Sequence, residues 1–164
     1  MAKIKDFEIK NIVQFKGHEL ESLEQGDVYY KGEKIGFFSE DMWGGEGIFH
    51  DYRKVNIKEL MVDIKEWVKN NYIFAKFPNL EEYYNINMLM EDILRLTEIE
   101  TDFKKAKKEK WEGLLLVDSF KRMPKTYAFR NSGLKKLVAR VNTNDEDVML
   151  VFREDKDFSL ISSK

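Results

Sequence analysis

The stretch NIKELMVDIKEWVKNNY, Asn56–Tyr72, decides the fold. Ile57, Leu60, Met61, Ile64, Trp67 and Val68 recur at the i, i+3, i+4, i+7 spacing that gives a helix one apolar face. Asn56 stands where an N-cap is needed, and Glu59 completes a capping box. The spacing predicts a helix with Met61 and Trp67 turned to the core. The chain on either side of this helix must supply what it packs against.

Upstream, the pattern is that of strands. KIKDFEIKNIVQF, Lys3–Phe15, places Ile4, Ile9, Ile12, Val13 and Phe15 in an imperfect alternation, as a strand with a bulge near Asn11 would. GDVYYKGEKIGFF, Gly26–Phe38, reads as a hairpin. Val28 and Tyr30 share one face, Tyr29 lies opposite, and KGEK makes the turn, with Gly32 as the positive-φ residue.

Downstream, FPN interrupts the chain. Pro78 disfavours helix before it, and Asn79 with Glu82 repeats the capping signal. A second helix is predicted from about Leu80 to about Lys108. Tyr83, Ile86, Met90, Ile93 and Thr97 form its stripe, and Leu89, Leu96 and Phe103 widen it, so it needs a broad partner or two partners. Its end, KKAKKEK, carries cations that complement the macrodipole and is expected to be a solvated helix end.

The last third returns to short β-branched and aromatic runs: WEGLLLVDSF, TYAFR, KLVARV and DVMLVF. Turn signals separate them at Pro124, at Asn131–Gly133 and at Asn142–Asp147, and FSLI adds a short edge strand. Strands, then helices, then strands indicate an α+β fold, with an N-terminal antiparallel β-hairpin region, two central helices and a C-terminal antiparallel β-meander. Residues 1–164 are expected to form a single domain, because a cut would leave the helices without a sheet to cover.

Composition narrows the class. The chain has 164 residues, enough for one sizeable core. A hydrophobic fraction of 43% excludes wholesale disorder, and a charged fraction of 35% predicts a heavily charged surface. There is no cysteine, which removes disulfides, thiolate metal sites and a cysteine nucleophile. MAKIKDFEIKN lacks the apolar run of a secretory signal, and the longest apolar run, GLLLVDSF, is strand-sized. A soluble, cytoplasmic protein with no membrane partner is expected. The net charge of −2 is unevenly spread. From Lys104 to Arg140 there are twelve Lys or Arg against three acids, a local +9 that leaves −11 for the remainder. Such blocks mark a polyanion-binding face or attract each other within the fold, and without a nucleic-acid motif the second account is simpler. Lysine outnumbers arginine 22 to 6, which disfavours bidentate base reading.

Catalytic signatures are missing. There is no Walker loop, no G-x-G-x-x-G and no G-x-S-x-G, and HELE at His18–Glu21 is half of a zinc motif, best placed in a surface loop. FFSEDMWGGEGIFHDY, Phe37–Tyr52, concentrates Glu40, Asp41, Glu46, His50 and Asp51. Oxygen ligands of this kind suit Mg²⁺ or Ca²⁺, so Asp41, His50 and Asp51 define a candidate metal centre for a hydrolase, although carboxylates are common in loops. Trp43 has two readings. It folds back over the core edge with its glycines making the turn, the simpler expectation, or it stands out as an interface anchor. Phe120–Arg130, FKRMPKTYAFR, interleaves cations with aromatics as single-strand binders do. Lys121, Arg122, Lys125, Tyr127 and Arg130 are the candidate nucleic-acid contacts. A half-buried antiparallel hairpin gives the same pattern and is preferred.

Gly26–Gly45, GDVYYKGEKIGFFSEDMWGG, resembles a group of small bacterial and phage proteins in which a strand leads to a DGKK-hydrophobic-G turn and then to D-x-x-GG. Lys31, Gly32, Lys34 and Gly36 match the turn, and Asp41, Gly44 and Gly45 match the tail. The match covers about twenty residues of a motif of low specificity. The resemblance implies no particular activity. It implies a phage or mobile-element origin, where small proteins act by binding and blocking a host protein. The leading expectation is therefore a non-enzymatic protein-binding module, an inhibitor of a bacterial defence system, that contacts its partner through Asp41, Trp43 and Trp111. A nucleic-acid-binding protein and a metal-dependent hydrolase are the alternatives, and no cofactor is expected.

Overall fold

A computed structural model describes residues 1–119, 122–141 and 147–160. The chain runs through β1 (Lys3–Ile4), β2 (Phe7–Lys16), β3 (Ser22–Tyr30), β4 (Glu33–Ser39) and β5 (Ile48–Asp51). The helices α1 (Ile57–Asn71), α2 (Leu80–Tyr83) and α3 (Ile86–Lys108) follow. The rest is β6 (Gly113–Ser119), β7 (Arg122–Phe129), α4 (Asn131–Arg140), β8 (Val148–Phe152) and β9 (Ser159–Leu160). The fold is α+β, as the segregated pattern predicts.

The larger sheet has the order β5-β4-β3-β2-β1-β9. Its first five strands pair antiparallel with their neighbours in sequence, and β9 lies parallel to β1. The β3–β4 hairpin closes through Lys31 (φ 50°) and Gly32 (φ 81°), both left-handed, between the paired Tyr30 and Glu33. Two positive φ values give the primed turn whose twist matches the strands. The expected bulge is present: the β2–β3 register shifts between Lys10 and Val13, Asn11 has φ 53°, and its amide donates to Asp27 Oδ2 at 2.9 Å.

The Asn56 side chain caps α1, accepting from the Glu59 N–H at 3.4 Å and donating to Glu59 Oε2 at 3.1 Å. Met61, Ile64, Trp67 and Val68 are buried, as the spacing requires. The second helix is not continuous. One turn, α2, ends at Tyr84 in an extended conformation, and Asn85 caps a new helix by accepting from the Met88 N–H at 3.0 Å. Asn79 makes no side-chain cap. The break aims the fully buried Tyr84 at Asp92, its hydroxyl donating to Oδ2 at 2.5 Å, while Tyr72 donates to the same oxygen at 2.9 Å. The broad face of α3 meets both sheets, which explains its width.

The smaller sheet is antiparallel with the order β7-β6-β8. Here the sequence reading needs correction. KLVARV was expected as a strand, but Leu134–Arg140 lies within α4. Asn131–Gly133 therefore opens a helix, and β8 pairs with β6 instead of continuing a meander from β7. The physical reason is period: Leu134, Leu137 and Val141 pack on Leu115, Val117 and Phe129, a helical spacing that a short apolar run conceals. Pro124 sits inside the edge strand β7, where its missing N–H is tolerated. Of the expected turn at Asn142–Asp147, residues 142–146 lie outside the described residues. The opposite face of the small sheet, through Leu114, Leu116 and Phe152, joins the main core with Ile4, Phe38 and Ile93. Among the described residues no helix is long and apolar enough to cross a membrane.

Asp92 makes the core pH-sensitive. Burial raises its carboxyl from the ordinary 3.8 to about 6, partly offset by the two tyrosine hydroxyls. Between those values the folded chain holds a proton that the unfolded chain has released. Stability from this group is therefore highest in acid and falls as the pH rises through the window, by up to roughly 3 kcal/mol. Asp92→Asn keeps an acceptor for the hydroxyls and removes the titration. Urea unfolding across the window should show the variant gaining on the wild type as pH rises, and a constant difference would contradict this.

Candidate functional site

The β4–β5 connection carries the candidate site. At its start the Asp41 carboxylate accepts the Trp43 N–H at 3.2 Å and the Gly45 N–H at 2.9 Å, while its carbonyl accepts the Gly44 N–H at 3.1 Å. Gly44, at φ 79°, supplies the left-handed residue that the turn needs. The turn holds Trp43 away from the core, leaving it 69% exposed. Its ring lies against His18, with centroids 4.6 Å apart. The His18 N–H donates to the Met42 carbonyl at 2.8 Å, which ties the β2–β3 loop to this turn. Met42 and Leu20 are exposed on the same two loops.

The second half of the connection is clamped to α3. Asn85 donates to Glu46 Oε1 at 3.0 Å, the Gly47 N–H to Glu91 Oε1 at 3.3 Å, and the Phe49 N–H to Asn87 Oδ1 at 3.0 Å. Trp43 is thus presented by a loop fixed at both ends.

A groove runs beside this loop between β2, β3 and α3. Gln14, Glu24, Glu40, Glu91, Arg95 and Glu98 line its narrower part, of about 160 Å³. Gln14, Glu24 and Glu98 also line the adjoining part, of about 400 Å³, which ends at Asp102 and Lys105. Withdrawal from water raises the Glu40, Glu91 and Glu98 carboxyls. Facing carboxylates add to this: Glu24 at Glu40, Glu46 and Glu40 at Glu91, and Glu24, Glu40 and Asp102 at Glu98. Of the cations present, Arg95 pairs with Asp118, which is not part of the groove lining, and Lys105 pairs with Asp102 at the far end of the groove.

The other sequence candidates are scattered. Trp111 is half-buried against the main core, its indole donates to Glu109 Oε2 at 3.3 Å, and the Arg130 guanidinium lies 5.4 Å from its ring centre. It is a joint between the end of α3 and the small sheet. His50 is exposed on β5 opposite Phe37, and Asp51 accepts the Arg53 N–H at 2.9 Å. Asp41 is occupied by its own turn. Among the described residues no group of three or more His, Asp or Glu is placed to hold a metal ion. Lys121 lies outside the described residues, and Arg122 opens β7. Lys125 is exposed, but Tyr127 packs against the Leu115–Val117–Phe129 cluster and Arg130 covers Trp111. The aromatics of that stretch that are described turn inward, as a half-buried hairpin requires.

Sequence reasoning named His18 only as part of a surface loop and Glu40 only within the acidic cluster, and it missed Leu20, Glu24, Glu91 and Glu98. HELE signalled a loop, but nothing local pairs that loop with Trp43. No protein-family model, curated protein or solved structure matches the chain.

Proposed function

We propose that this chain is a protein-binding module that docks its partner on the Trp43 platform. One observation carries the reading: a fixed loop holds a tryptophan out of the core. Burying such a ring in a partner is worth about 1.5–3 kcal/mol, and tryptophan and methionine are enriched at interfaces. A loop already fixed at Asp41, Met42 and Gly47 loses little freedom on docking. The resemblance of Gly26–Gly45 extends the reading to a phage or mobile-element inhibitor of a bacterial defence system, which would act by covering a functional surface of a host protein.

Photo-cross-linking tests this. A benzophenone amino acid at position 43, expressed in cells of the source organism, should give one dominant protein adduct. The same group at Val62, exposed on α1, should not give that adduct. No adduct at position 43, or the same adducts from both positions, would contradict the reading.

A further inference from the structure

We propose that the Trp43 platform takes a cationic protein segment, with an apolar residue against the indole and lysine or arginine side chains entering the groove beside it. This rests on the reading of Trp43 as the docking anchor and adds the charge of the partner.

The argument is charge complementarity around an apolar anchor. Trp43, Met42 and Leu20 supply exposed apolar surface at one end of the larger sheet. Glu40 immediately precedes the Asp41 turn and also lines the groove, so platform and groove are continuous. Glu19, Glu40 and Glu46 stand on the two platform loops, and Glu24, Glu91 and Glu98 continue the negative surface along β3 and α3. Among the described residues, no lysine or arginine forms an ion pair with Glu24, Glu40, Glu91 or Glu98. Burial first, and repulsion from the facing carboxylates after it, raise the Glu40, Glu91 and Glu98 carboxyls in the free protein. A segment bearing ammonium or guanidinium groups relieves that repulsion and gains charge-assisted hydrogen bonds. An acidic segment or a nucleic-acid backbone is repelled by the same field. The larger part of the groove includes Ile12, Thr97 and Thr101, and Ile12 suits the aliphatic stems of lysine and arginine.

The test is selection of short random peptides, displayed on particles, against the full chain, against Trp43→Ala and against Glu40→Gln/Glu98→Gln. The wild type should enrich peptides of net positive charge that carry an aliphatic or aromatic residue. A synthetic peptide from that pool should bind Trp43→Ala at least about tenfold more weakly and the double variant several-fold more weakly, and added salt should weaken it further. Enriched peptides of neutral or negative charge that Trp43→Ala still loses would overturn the cationic partner and leave the anchor standing. Enrichment that survives Trp43→Ala would overturn both. No enrichment on the wild type would overturn the proposal that this face takes a linear segment.

Discussion

Asp118→Ala is expected to cost about 3–5 kcal/mol of folding stability. Asp118 lies on β6 with 1% exposure. One carboxylate oxygen accepts the Ala75 N–H at 2.6 Å, and the other meets the Arg95 guanidinium of α3. Arg95 in turn lies over the Phe74 ring, 4.5 Å from its centre. This one carboxylate therefore joins the segment after α1, the middle of α3 and the centre of the small sheet. Alanine leaves a backbone N–H and a largely buried guanidinium without their acceptor, which costs more than the pair itself is worth. Asp118→Asn keeps an acceptor for Ala75 and should lose less. Urea denaturation of both variants checks the order, and a loss below about 1 kcal/mol for alanine would mean that the carboxylate does not join these elements.

The Asp118 joint gathers residues far apart in the chain, which local sequence does not convey. The β3–β4 turn, the bulge at Asn11 and the cap and buried face of α1 were legible because each depends on residues adjacent or one helical turn apart. The break at Tyr84 was not. The stripe from Tyr83 to Phe103 reads as one helix, and the interruption, with Tyr84 extended and bonded to Asp92 and Asn85 capping a new helix, is not visible in its periodicity. α4 was misread because its apolar residues are few and two valines, Val138 and Val141 at its C-cap, stand among them, and their helical spacing acquires meaning only once Leu115 and Val117 lie beneath them. The site follows the same rule. Asp41, Trp43 and Gly44 announced a turn, but the simpler expectation folded Trp43 back over the core edge, whereas the turn leaves it 69% exposed. His18, Glu24, Glu91 and Glu98 come from other parts of the chain, and of these groove carboxylates and Glu40 only Glu40 lies near Trp43 in sequence.

Trp43→Ala should separate binding from folding. The side chain is 69% exposed, so its removal should change stability by no more than about 0.5 kcal/mol. Partner affinity should fall by about 2 kcal/mol or more, roughly thirtyfold, because truncating a central aromatic anchor loses its buried area and admits water. Trp111 is the contrast within the same chain. It is half-buried under Arg130, so Trp111→Ala should lower the unfolding midpoint while leaving affinity nearly unchanged in the fraction that is folded. The reverse assignment, with Trp111 as the affinity determinant, would move the interface to the junction of α3 with the small sheet.

The most direct measurement of the docking claim is quantitative affinity capture from the source organism, with wild type and Trp43→Ala as paired baits of equal thermal stability and mass spectrometry as the readout. The account predicts a stoichiometric protein retained by the wild type and depleted at least about tenfold on Trp43→Ala. Equal recovery of every captured protein by the two baits, or no protein retained by the wild type, would contradict it.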